Sequence, residues 1–143
     1  MNFDLSSFLP YRLSVLSNRI SRQLARVYQR DSDLDIPQWR VLAILANHDH
    51  LSATQVAQAA SMDKVRISRT VAKLRAKGLI EQEGCQHDGR TRRYRLTAAG
   101  RKLYDGLLPR VLRCEKELFS GLDERDIRHL HRLIDKITKK LPP

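Results

Sequence analysis

The chain lacks most of what marks an enzyme or a membrane protein. Cysteine occurs only twice in 143 residues, as Cys85 and Cys114, with no spacing that suits a disulfide or a metal. That points to a reducing, cytoplasmic setting. No apolar run approaches the ~18–20 residues needed to cross a bilayer. The opening Met1-Asn2-Phe3-Asp4 has neither a basic nor an apolar region, so no secretion signal and no membrane partner are expected. Internal repeats and low-complexity segments are missing. So are a glycine-rich phosphate loop, a nucleophile elbow, a paired-carboxylate motif and a metal-ligand cluster. His129 and His131 stand two apart on a helical segment and point to different sides, while His48 and His50 flank a loop. The expectation is a protein that is not an enzyme and needs no metal or cofactor.

Acid is the minority charge. Sixteen acidic residues face 27 Lys and Arg, for a net charge of +11 and a pI near 10.3. An excess of that size suits a polyanion, because each phosphate neutralised releases condensed counterions. A membrane-surface binder would gather its charge in one polybasic segment; here it spreads along the chain and is densest around Arg90–Arg95. With 41% hydrophobic residues the chain can bury a core, as one domain or two small fused modules.

Periodicity supplies the elements. Leu9, Leu13, Leu16, Ile20, Leu24 and Val27 form one stripe of a helix over roughly Ser7 to Arg30, with Pro10 tolerated only in its first turn. Ser14, Ser17 and Ser21 flank that stripe on one side, and Arg12, Arg19, Arg22, Arg26 and Arg30 on the other. Asp35-Ile36-Pro37 opens a second helix with Trp39, Leu42 and Leu45 inward. Ser52 caps a short third helix, and Ala60-Ser61-Met62-Asp63 turns into a fourth, Lys64 to Lys77, closed by Gly78. Leu79 to Glu83 and Arg92 to Leu96 read as hairpin strands around an Asp88-Gly89 turn. Thr97 opens a long fifth helix, in which Pro109 predicts a kink near Gly106–Leu108. Asp123 caps a sixth, whose Ile127, Leu130, Ile134, Ile137 and Leu141 approach a heptad seam.

Two short helices followed by a basic hairpin make a DNA-reading unit, the winged helix-turn-helix. The fourth helix is its recognition element. Ile67, Val71 and Leu74 point inward, and Arg66, Arg69, Thr70 and Lys73 are assigned to the opposite face. Arginine pairs bidentately with guanine, and hydroxyls reach base edges or phosphates. Ser61 and Ser68 are candidate phosphate holders, with Lys64 beside them. At the hairpin tip Arg90 is placed to enter a narrow minor groove, and Arg92 to meet phosphate. Arg93 and Arg95 read as phosphate contacts or as solvated charges. The bland alternative for the whole face is a solvated basic surface.

Three segments resemble the MarR-type transcriptional regulators: Ile36-Pro37-Gln38-Trp39-Arg40-Val41-Leu42-Ala43-Ile44-Leu45; Val65 to Leu74 with Lys77-Gly78-Leu79-Ile80; and Asp88-Gly89-Arg90 ahead of Leu96-Thr97 and Gly100. Their order and distances hold over nearly the whole chain. The wing departs at Gly89, where the family often has a bulkier basic residue. The resemblance implies a mostly α, six-helix winged helix-turn-helix protein with a small β-hairpin, in three segments. These are an N-terminal dimerisation helix over 1–34, a DNA-binding domain over 35–98 and C-terminal dimerisation helices over 99–143. It further implies a homodimeric repressor on a palindromic operator of double-stranded DNA, released by a small ligand, often a phenolic or aromatic carboxylate. An arginine of the first helix beside an apolar cleft would suit such an acid or its thioester. Ser68, Arg69 and Arg90 match the family's DNA-contacting positions. Tyr11, Arg12 and Trp39 are the candidate ligand residues, against a solvated arginine flank and a core tryptophan. Peroxide-sensing members carry a cysteine near the first helix, which this chain lacks. Cys114 has the spacing of a buried structural thiol. The competing function is an architectural or non-specific nucleic-acid-binding protein without an effector.

Overall fold

The computed structural model describes residues 1–84 and 92–143. They form a short 3-10 turn at Leu5–Ser7, then α1 Leu9–Asp31, α2 Ile36–Asn47, β1 Leu51–Ser52, α3 Ala53–Ala60, α4 Lys64–Ala76, β2 Ile80–Gly84, β3 Arg92–Leu96, α5 Ala98–Leu118 and α6 Glu124–Thr138. The six helices and the hairpin strands agree with the sequence reading. Pro10 lies in the first turn of α1, where its missing N–H costs nothing. α5 runs as a single helix through Pro109.

Helix ends are set by side chains. Asp35 accepts from the Gln38 N–H at 2.8 Å, and Gln38 returns the bond to close a capping box on α2. Ser52 and Gln55 do the same on α3, and Asp123 and Asp126 on α6. α4 ends in a Schellman motif. Gly78, at φ 71°, takes the left-handed position while its N–H reaches the Arg75 carbonyl at 2.9 Å and the Leu79 N–H reaches that of Leu74 at 3.0 Å.

The sheet has three antiparallel strands in the order β1-β3-β2. β1 is a two-residue strand pairing Leu51 with Tyr94 and Ser52 with Arg93, and the sequence reading had no third strand. β2 and β3 pair from Ile80↔Leu96 to Gly84↔Arg92. The core is continuous. Val41, Leu42 and Leu45 of α2, Val56 of α3, and Ile67 and Leu74 of α4 are fully enclosed, each burial contributing roughly 1.5–3 kcal/mol. Ala25 and Tyr28 of α1 join them to Leu107 and Val111 of α5. Trp39 is sandwiched between Tyr28 and Tyr104, with both ring-centroid separations 5.4 Å, and so ties α1, α2 and α5 together. Burial pushes the Tyr28 hydroxyl up to about 12, and the Arg40 charge opposes this only in part.

Beyond this core the helical ends stand free. Leu9, Leu13 and Leu16 of α1 are exposed, and α6 buries no residue while presenting Leu130, Leu133, Ile134 and Ile137.

Candidate nucleic-acid interface

α3 and α4 are joined by a tight turn. Ser61 sits in the left-handed region at φ 51° and donates its N–H back to the end of α3, while the Met62 N–H reaches the Ala57 carbonyl at 3.0 Å. Asp63 then caps α4, accepting from the Arg66 N–H at 2.8 Å. α4 buries Ile67, Thr70, Val71 and Leu74 against the core. At 100° per residue, the opposite face carries Val65, Arg69 and Ala72, with Ala76 in the last turn. Lys64, Ser68 and Arg75 form one flank, Arg66 and Lys73 the other, and all of these residues are exposed. No acidic side chain lies within the helix.

Thr70 departs from the sequence reading. It is 5% exposed, and its hydroxyl donates to the Arg66 carbonyl at 2.8 Å, so it packs against the core side of the helix instead of standing on the exposed face. The step from Arg69 to Thr70 rotates the side chain by a quarter-turn and more, out of the exposed face. Arg66 and Lys73 likewise sit on a flank rather than at the crest. Val65 and Ala72, which a search for charge passes over, are on the crest.

The hairpin is anchored to the exit of α4. Thr97 donates its hydroxyl to the Gly78 carbonyl at 2.6 Å and accepts from the Gly100 N–H at 3.0 Å, while its own N–H reaches the Leu79 carbonyl at 3.1 Å. Arg95 is held by Glu81 at 2.5 Å and Glu83 at 2.7 Å, and His50 Nδ1 lies 2.7 Å from Glu83. Arg93 donates to the His50 carbonyl at 2.8 Å. Those two arginines therefore brace the base of the hairpin. Arg92 is exposed and forms no ion pair among the described residues. Cys85, His87, Asp88, Gly89 and Arg90 lie outside the described residues.

The candidate ligand residues are not brought together. Tyr11 and Arg12 lie on the free end of α1, while Trp39 stacks on Tyr28. Seventeen residues of helix separate Tyr11 from Tyr28, about 25 Å along the axis. Within one chain they cannot line one cleft, and Trp39 is a core brace. A different cleft, about 560 Å³, opens between α1, α2 and α4. Arg40, Arg66, Arg69 and Lys73 line it beside Ile36 and Pro37, and Asp35 is the one acid on its wall. Its floor includes Ser21, to which Arg40 donates at 3.4 Å. Sequence spacing could not show it, because its walls come from three helices. Cys114 is half-buried, and burial, then Glu117, push its thiol up. Among the described residues no group of His, Cys, Asp or Glu is arranged to hold a metal, and no helix is long and apolar enough to cross a membrane.

A capped helix-turn-helix with a cationic second helix, and a three-stranded sheet tied to its exit, defines a winged-helix DNA-binding protein. The MarR family profile matches residues 32–91. A MarR family transcriptional regulator of Silicibacter pomeroyi, SPO1453, is 31% identical, with 96% of this chain and 99% of that one covered and a TM-score of 0.78. The HTH-type transcriptional repressor IacR of Pseudomonas putida is 25% identical over 97% of this chain and 83% of its own length. Sco3205 of Streptomyces coelicolor, solved in complex with DNA, is 22% identical and shares the fold at a TM-score of 0.87 over 100% of this chain and 92% of its own. The chain belongs to the MarR family of DNA-binding transcriptional regulators.

Proposed function

We propose that this regulator is a homodimeric repressor that reads a palindromic operator with α4 and is released by a small anionic aromatic ligand. The observation that carries the reading is the crest of α4. Arg69 stands there between two cationic flanks, with Ser68 beside it on the flank of Lys64 and Arg75, on a helix whose other side is locked into the core. Arg69 has the length and fork to pair with a guanine edge. Lys64, Arg66, Lys73 and Arg92 are set back from it, where they suit phosphate.

Dimerisation is argued from the free ends. Leu9, Leu13 and Leu16 of α1, and separately the apolar face of α6, are surfaces that no part of the described chain covers. Faces of that extent are association surfaces, and twofold pairing would set two α4 helices on one duplex.

The effector is argued from the cleft between α1, α2 and α4. Four cations and two apolar side chains fit a planar acid. Arg66 and Lys73 belong both to that cleft and to the DNA-facing flank, so an anion held there competes with phosphate for the same charges. By linkage, DNA must weaken ligand binding by the factor with which ligand weakens DNA binding.

Selection from a library of random duplexes tests the DNA reading. An inverted repeat with half-sites about one helical turn apart is expected, and recovery of no common sequence would sink it. Calorimetry with aromatic acids and their thioesters tests the effector. Binding that Arg40→Ala weakens is expected, and failure of every such compound to bind would exclude the class.

A further inference from the structure

We infer that Val65 is a specificity-determining contact, seated against the C5-methyl group of a thymine in the major groove. The inference rests on the reading of α4 as the recognition helix and adds a base to what that helix reads. Three observations carry it. Val65 is 63% exposed and is the second residue of α4. Recognition helices reach base edges with their N-terminal residues, so the first turn is where a side chain meets a base. Val65 also stands on the crest of the helix, one turn before Arg69 and two before Ala72, opposite the buried Ile67, Val71 and Leu74. A crest residue faces the groove floor when the flanking cations face the two phosphate backbones.

The chemistry of the position matches one base feature. Val65 has no donor or acceptor, so it cannot read a hydrogen-bonding edge. Thymine alone offers an apolar group in the major groove, the C5-methyl. Lys64 and Arg66 on either side are charged and exposed, and a β-branched residue at an exposed helical position is poorly suited to the helix on its own account. Nothing in the core uses this side chain. A single exposed valine elsewhere on the surface would require no explanation; at the first turn of this crest it has an apolar surface to meet. Ala72 further along the same line is small enough to let the helix settle toward the bases.

The test uses the full-length protein and a duplex selected by that protein. Each thymine of the site is replaced in turn by uracil, which removes the methyl group and leaves every hydrogen-bonding edge intact. One thymine per half-site is expected to respond, with affinity falling about fourfold, the factor equivalent to burying one carbon of apolar surface. Val65→Ala should lose affinity for the thymine duplex and no longer distinguish it from the matching uracil duplex, while Val65→Thr, which keeps one methyl in the same place, should retain part of the discrimination. The inference is overturned if no uracil replacement changes wild-type affinity, or if Val65→Ala discriminates thymine from uracil as wild type does. A protein that selects no sequence at all would overturn it differently, by removing the reading of α4 on which it rests.

Discussion

Gly100 is the residue whose substitution probes the geometry of the DNA-binding unit most sharply. It is the third residue of α5, and a Cβ built on it would stand 1.9 Å from the Leu79 carbonyl oxygen and 2.9 Å from its carbon. Both neighbours are backbone, so no side chain can swing aside. To restore ordinary contact, α5 and the chain at Leu79 must separate by more than 1 Å. Leu79 lies directly between Gly78 and the first strand of the hairpin, so the displacement would be felt where α4 hands over to the wing. Alanine in place of glycine inside a helix gains about 0.5–1 kcal/mol. Overpacking of a buried site costs about 1–3 kcal/mol, and contact against rigid backbone belongs at the upper end. Gly100→Ala is therefore expected to destabilise by ~1–2 kcal/mol in urea denaturation. Gly106 of the same helix is the control, because nothing lies within 4 Å of its would-be Cβ. Gly106→Ala should be neutral or stabilising by up to about 1 kcal/mol. If Gly100→Ala proved as stable as Gly106→Ala, the close approach of α5 to Leu79 would be wrong.

Tyr28 predicts an alkaline effect. Its hydroxyl is raised above its unfolded value, so its share of stability is complete below pH ~10 and is lost as the pH rises toward 12. Wild type should lose ~2–3 kcal/mol more than Tyr28→Phe across that window, and parallel curves would show that the hydroxyl is not shielded. Ile134→Glu with Ile137→Glu should yield monomers by light scattering and weaken operator binding by at least about tenfold, because linked half-sites act at high effective concentration; an intact dimer would refute the association face. Cys114, in a Cys85→Ser background, should react with an aromatic disulfide reagent more slowly when folded than when denatured, since its thiol is raised by burial and Glu117. Equal rates would contradict that shielding.

The helices were legible because each carries a stripe that repeats at helical spacing, and Gly78 and Thr97 mark their ends with the chemistry those ends require. β1 was not, since two residues carry no period of their own and become a strand only by pairing with Tyr94 and Arg93. The site was legible as charge and less so as shape. Thr70 joined the basic face on paper because it follows Arg69, yet the helical step turns it onto the Arg66 carbonyl. Val65 was passed over because a search for DNA contacts weighs cations and hydroxyls first. Trp39 gave no sign of its partners, since Tyr28 and Tyr104 come from distant parts of the chain. The cleft lined by Arg40, Arg66, Arg69 and Lys73 depends on three helices meeting, which no local pattern encodes.

Sequence-specific reading by the crest of α4 is most directly tested by measuring the affinity of wild type and Arg69→Ala for the selected duplex and for a shuffled duplex of equal length at the same salt. The account predicts that Arg69→Ala loses about 1–3 kcal/mol on the selected duplex and little on the shuffled one. Equal losses on both would mean that Arg69 meets phosphate and that α4 does not read bases through it.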